Sequence, residues 1–125
     1  LSNANLTGKD LSGKDLTGTI LTGTNLSNAN LTGKDLSGKD LTGTILTGAD
    51  LSNTKLLDTT LTSASLENAD LRYALLVDAN LSNAILPGAD LTEAILTGAI
   101  LTGANFENAN LTNAILNCID HSICI

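Results

Sequence analysis

Aromatic side chains are almost missing from this chain, which has one Tyr, one Phe and no Trp in 125 residues. A core without rings must be built from Leu, Ile and Ala, and 42% of the chain is apolar. Cationic side chains are also scarce, six Lys and Arg against thirteen Asp and Glu. A net charge of −7 disfavours a phosphate-binding surface, so direct nucleic-acid binding is not expected. No apolar run approaches the roughly 20 residues that cross a bilayer, so no membrane segment is expected either. There is no signal-peptide pattern, and the two cysteines suggest thiols in a reducing, cytoplasmic setting. Methionine is absent, so Leu1 is not expected to be the translated start.

What the chain has instead is a leucine every fifth residue. Of the 25 positions in that register, 23 are Leu, one is Phe106 and the last is His121. A helix advances about 100° per residue, so a five-residue step leaves successive Leu side chains about 140° apart, spiralling around the axis. A flat strand fails as well, because an odd step sends alternate Leu to opposite faces. The period works only if the chain turns a corner in every repeat. With each Leu as position i, the corner lies at i+1 and i+2. Position i+2 is Gly, Asn or Asp in 20 of 25 rows and holds all eleven Gly, the residue types that accept positive φ. Pro87-Gly88 falls in the same register and fits a type II turn.

Position i−2 is a second inward site, Ala without a break from Ala64 through Ala114, and i−1 is mostly an outward Asn or Asp. Stacked rows of this kind form a parallel β-solenoid around a Leu ladder that includes Leu51, Leu71, Leu91 and Phe106. The rows Ala49-Asp50-Leu51 and Ala89-Asp90-Leu91 closely resemble the pentapeptide-repeat family, and the resemblance runs along essentially the whole chain. It implies an all-β, right-handed quadrilateral β-helix with four repeats per coil, hence about six coils of 20 residues in one domain, 1–125. Residues 116–125 break the pattern as an irregular end.

Residues 1–25 and 26–50 are near copies, differing only at Thr24 against Ala49 and Asn25 against Asp50. Twenty-five residues make five sides, so the second copy is turned a quarter relative to the first, and 1–50 reads mainly as spacer. The same half places Lys9, Lys14, Lys34 and Lys39 at the inward i−2 position. Two readings stay open. Either the stems thread the corner so that the heads reach water, or this part of the solenoid is locally loosened, since a buried unpaired ammonium is costly.

Outward positions divide into a polar stripe that includes Asp50, Asp70 and Asp90, and an apolar stripe of Leu57, Leu75, Val77, Ile95 and Ile115 with Tyr73 nearby. The apolar stripe reads as a protein-contact surface; the plainer alternative is that Ile at i−1 only favours strand. Cys118, His121 and Cys124 superficially match metal-ligand spacing but offer three ligands without a fourth, and read as a terminal apolar cap. No catalytic residue, cofactor site or metal site is expected, because the interior is filled by Leu and nothing indicates a cleft. The expected function is a structural or protein-interaction module, with a protein partner or self-association as a dimer. The alternative implied by the resemblance is an acidic imitation of duplex DNA binding DNA gyrase or a related topoisomerase.

Overall fold

The computed structural model describes residues 1–124, and Ile125, one of the apolar residues assigned to the terminal cap, lies outside the described residues. The chain winds into stacked four-sided coils. Parallel bridges join residues 20 apart, as in the series Asp10, Asn30, Asp50, Asp70, Asp90 and Asn110. We number the coils 1 (1–20), 2 (21–40), 3 (41–60), 4 (61–80), 5 (81–100) and 6 (101–124). Each side contributes a single bridging residue before the chain turns. At one such corner the Ala89 amide donates to the Leu86 carbonyl at 3.1 Å, with Gly88 at φ +68°. Positive φ at the third turn position is what type II geometry demands. It is met by Asn, Asp or Gly at most corners and, against steric preference, by Tyr73 at φ +61°.

Because every corner resets the chain direction, each Leu of the five-residue register points inward. From Leu21 to Leu101 each is at most 1% exposed, Leu51, Leu71 and Leu91 among them. The i−2 positions bury Ala, or Thr whose hydroxyl finds a carbonyl: Thr44 donates to Leu41 at 2.8 Å and Thr59 to Leu36 at 3.0 Å. Phe106 differs from the Leu ladder it was grouped with. It is only half-buried, because the coil stacked on it is incomplete.

The outward Asn and Asp at i−1 do more than face solvent. From Asn5 to Asn110 each clasps the following corner by accepting from the residue at i+1, as Asp40 does from the Thr42 amide at 2.9 Å and hydroxyl at 2.5 Å. Hydrogen bonds from Ser12 and Thr42 hold the Asp10 and Asp40 carboxyls below their ordinary range, and Asp15, Asp35 and Asp70 are lowered in the same way. Depressed folded values mean that the stability these groups carry is present above the unfolded value of about 3.9 and lost as pH falls through the folded values. Melting temperature is therefore expected to fall below about pH 4. Replacing Asp10, Asp35 and Asp40 by Asn should flatten that limb, since Asn30 makes the same bonds to Thr32 at 3.0 and 2.6 Å. An acid limb of undiminished depth in the Asn variant would contradict this assignment.

At the C-terminal end the register slips by one residue. Ile100 bridges Ile119, where the 20-residue period would place Asp120. The shortened side displaces His121 from the Leu position. Its Nε2 lies 3.0 Å from the Ala104 carbonyl, its Nδ1 accepts from the Ile123 amide at 3.2 Å, and its ring meets Phe106 edge-on at 5.3 Å. Cys118 and Cys124, expected as thiols, are joined in a disulfide across Cα atoms 5.0 Å apart.

The N-terminal end shows what the inward lysines do. Four sides of ladder bonds join coil 2 to coil 3, but between coils 1 and 2 two consecutive sides are open. Bridges from Asp15 to Asp35 and from Ile20 to Asp40 are missing from the series. The amides of Gly13, Leu16, Gly18, Leu21, Asp35 and Asp40 lack the cross-coil partners that equivalent amides have elsewhere. In their place the Lys34 ammonium donates to the Lys14 carbonyl, and the Lys39 ammonium to the Thr19 carbonyl at 3.2 Å. Lys9 and Lys14 sit in the terminal coil and escape to solvent, as the threading alternative required. Lys34 and Lys39 have a coil on either side, and they part the weaker interface, where coil 1 has only one neighbour. The quarter-turn of the duplication sets the copy of Lys9 beneath Lys14 and the copy of Lys14 beneath Thr19.

Candidate protein-contact face

The side that follows the corner at Arg72 and Tyr73 carries the apolar stripe. Its bridging residues are Asp35, Lys55, Leu75, Ile95 and Ile115 in one continuous ladder, so the last three stack directly. Strands in register are about 4.8 Å apart, which brings their side chains into mutual contact. Leu57 and Val77, 20 residues apart, flank this side at its trailing corner. Leu57, Leu75, Val77 and Ile95 are half-buried, whereas Ile115 and Tyr73 are each 49% exposed. The stripe opens at Lys55, whose ammonium stands 4.0 Å from Asp35, and becomes wholly apolar toward the C-terminus.

The preceding side carries Asp50, Asp70 and Asp90, bridged to one another. The charge of this stripe is broken in its middle. Arg72 grips Asp70 through Nε at 2.9 and 3.0 Å and through Nη2 at 2.6 Å, which holds the Asp70 carboxyl below its ordinary range and pushes the guanidinium further up. Arg72 also lies within the fields of Asp50 and Asp90. Its signal in the sequence is an Arg at i+1, the place where Ser or Thr mostly closes the corner onto the i−1 side chain. Arg72 and Tyr73 together form the edge between the acidic side and the apolar one. Tyr73 holds the left-handed conformation at a cost of about 1 kcal/mol.

The Leu75, Ile95 and Ile115 ladder, Leu57, Val77 and Tyr73 share one side and its corners, and Asp50, Asp70 and Asp90 share the next. Among the described residues no helix is long and apolar enough to cross a membrane, and no cluster of His, Cys, Asp and Glu is arranged to hold a metal ion.

The sequence model described as Pentapeptide repeats matches eight copies, over residues 1–38, 25–62, 35–72 and 74–113. Among solved structures, the pentapeptide repeat protein alr5209 from Nostoc is 34% identical, over 89% of this chain and 83% of that one, with a TM-score of 0.60. QnrB1, a plasmid-mediated fluoroquinolone resistance protein, is similar in fold at 16% identity, over 89% of this chain and 69% of that one, with a TM-score of 0.56. HetL, a pentapeptide repeat protein involved in heterocyst differentiation regulation in the cyanobacterium Nostoc, is 31% identical over 96% of this chain, with a TM-score of 0.49. This chain spans 63% of the length of HetL. No curated protein matches the chain.

Proposed function

The chain belongs to the pentapeptide-repeat family, with its right-handed β-helix, and on that premise we propose that it is a non-enzymatic docking rod. The observation that carries this reading is the outward ladder of Leu75, Ile95 and Ile115, extended by Leu57 and Val77 and edged by Tyr73. A side of this kind, stiffened by a core it does not share, offers a preformed apolar strip to a protein partner or to a second copy of the chain. Imitation of duplex DNA toward a topoisomerase draws less support, since a bidentate arginine neutralises the central carboxylate of the acidic stripe.

Ile95→Lys tests the proposal cleanly, because Lys55 already occupies the same ladder in coil 3 and the fold accepts it. The variant is expected to keep its melting temperature within a few degrees while weakening self-association, read by sedimentation equilibrium, or partner retention, read by pull-down, by about tenfold or more. Wild-type protein that stays monomeric at high concentration removes the dimer form of the reading. A captured partner held equally well by Ile95→Lys removes the contact face itself.

A further inference from the structure

The cleft between coils 1 and 2 has a chemistry of its own. It encloses about 570 Å³ and is lined by Lys14, Lys34, Lys39, Asp15, Asp35 and Thr17, among others. Three of the chain's six cationic side chains therefore converge on one opening in a protein of net charge −7. None of the three pairs with a carboxylate; among the described residues the ion pairs are Lys55 with Asp35 and Arg72 with Asp70. The two aspartates of the lining are turned to their own corners, Asp15 accepting from the Thr17 amide at 2.9 Å and Asp35 from the Ser37 amide at 3.1 Å.

Donors are in surplus here. An ammonium carries three hydrogens, and Lys34 and Lys39 each spend one on a carbonyl of coil 1. The Asp35 and Asp40 amides, which in a closed ladder would have taken those same carbonyls, are left beside the ammonium groups without a partner. Unpaired amides and convergent cations are the two elements from which anion sites are built.

We propose that this cleft binds a small oxyanion, a phosphate or polycarboxylate group held by Lys14, Lys34 and Lys39 and by the free amide of Asp35. The site is separate from the apolar side proposed for docking, and the lysines that wedge the coils apart are the ones that recognise the ligand.

Amide NMR titration at constant ionic strength tests this, with inorganic phosphate and citrate as probes and chloride as the control. Saturable shifts are expected at Leu16, Gly18, Asp35 and Asp40, with Ala74 and Ile95 unmoved. Whichever probe saturates at lower concentration identifies the preferred oxyanion. Lys14→Gln removes one ammonium without touching the two that hold the coils apart, and should weaken binding about fivefold or more while leaving those amides unpaired. Shifts with both probes that are linear or match chloride overturn the proposal, and so does an unchanged affinity in Lys14→Gln.

Discussion

Replacing Lys34 and Lys39 together by Ala is expected to raise the melting temperature by roughly 5–10 °C and to join coil 1 to coil 2 on all four sides. Ala fits because it already fills i−2 throughout the C-terminal coils, where it is essentially inaccessible. With the wedging ammonium groups gone, the amides of Gly13, Leu16, Gly18, Leu21, Asp35 and Asp40 can reach carbonyls equivalent to those that their counterparts one coil below already use. Each such bond is worth about 0.5–1.5 kcal/mol net. Allowing for the ordering of coil 1, a gain of about 2–3 kcal/mol is the expected balance. Closing the ladder should also lower the exposure of Leu11 and Leu16, now 9% and 8% against 1% or less for the interior Leu. Thermal melts of wild type, the two single variants and the double variant check this, with each single variant giving a partial gain because each lysine holds one of the two open sides. A double variant no more stable than wild type would mean that the lysines accompany the opening without causing it.

Leu76→Ala is expected to have the largest destabilising effect. Leu76 is fully buried in the middle of the rod, with complete coils above and below. Truncating it removes its transfer free energy and leaves a cavity that stiff neighbouring corners cannot collapse, at about 3–4 kcal/mol. Leu6→Ala removes the same atoms from a half-buried position in the terminal coil, which has a neighbour on one side only, and should cost about 1 kcal/mol. Chemical denaturation followed by circular dichroism measures both. Because a solenoid couples only neighbouring coils, the Leu76 variant should also broaden the transition as the two halves of the rod lose cooperativity. Equal losses at Leu6 and Leu76 would contradict a core that is graded from its ends to its middle.

Much of the fold was legible in the sequence because one physical requirement recurs at every repeat. A Leu every fifth residue has no solution as a plain helix or strand, and Gly, Asn or Asp at i+2 shows where the corner lies, so the interior could be assigned down to Leu51, Leu71 and Leu91. The exceptions lie where neighbouring residues compete for one place. The two readings of the inward lysines could not be separated by composition, since the outcome depends on which coil interface yields first; coil 1 yields because it has one neighbour. The pairing of Cys118 with Cys124 lies where a side is shortened by one residue, which the five-residue period gave no cause to expect. Arg72 was hidden for a different reason: at i+1 it replaces a turn-closing hydroxyl and acts on the Asp70 carboxylate two residues back. The apolar stripe was visible as a 20-residue spacing of Leu75, Ile95 and Ile115, whereas the cleft was not, because it arises from the register between two copies of one segment.

Residue-resolved amide hydrogen exchange tests most directly the central claim, a ladder closed from coil 2 onward and opened between coils 1 and 2 by Lys34 and Lys39. The Asn30, Asp50, Asp70 and Asp90 amides, each bonded to a carbonyl one coil earlier at 2.9–3.0 Å, are expected to exchange slowly. The Leu16, Leu21, Asp35 and Asp40 amides should exchange about 100-fold faster or more, and should fall into line with the others in the Lys34→Ala, Lys39→Ala variant. Protection of Asp35 and Asp40 equal to that of Asn30 and Asp50 in the wild-type protein would contradict the account.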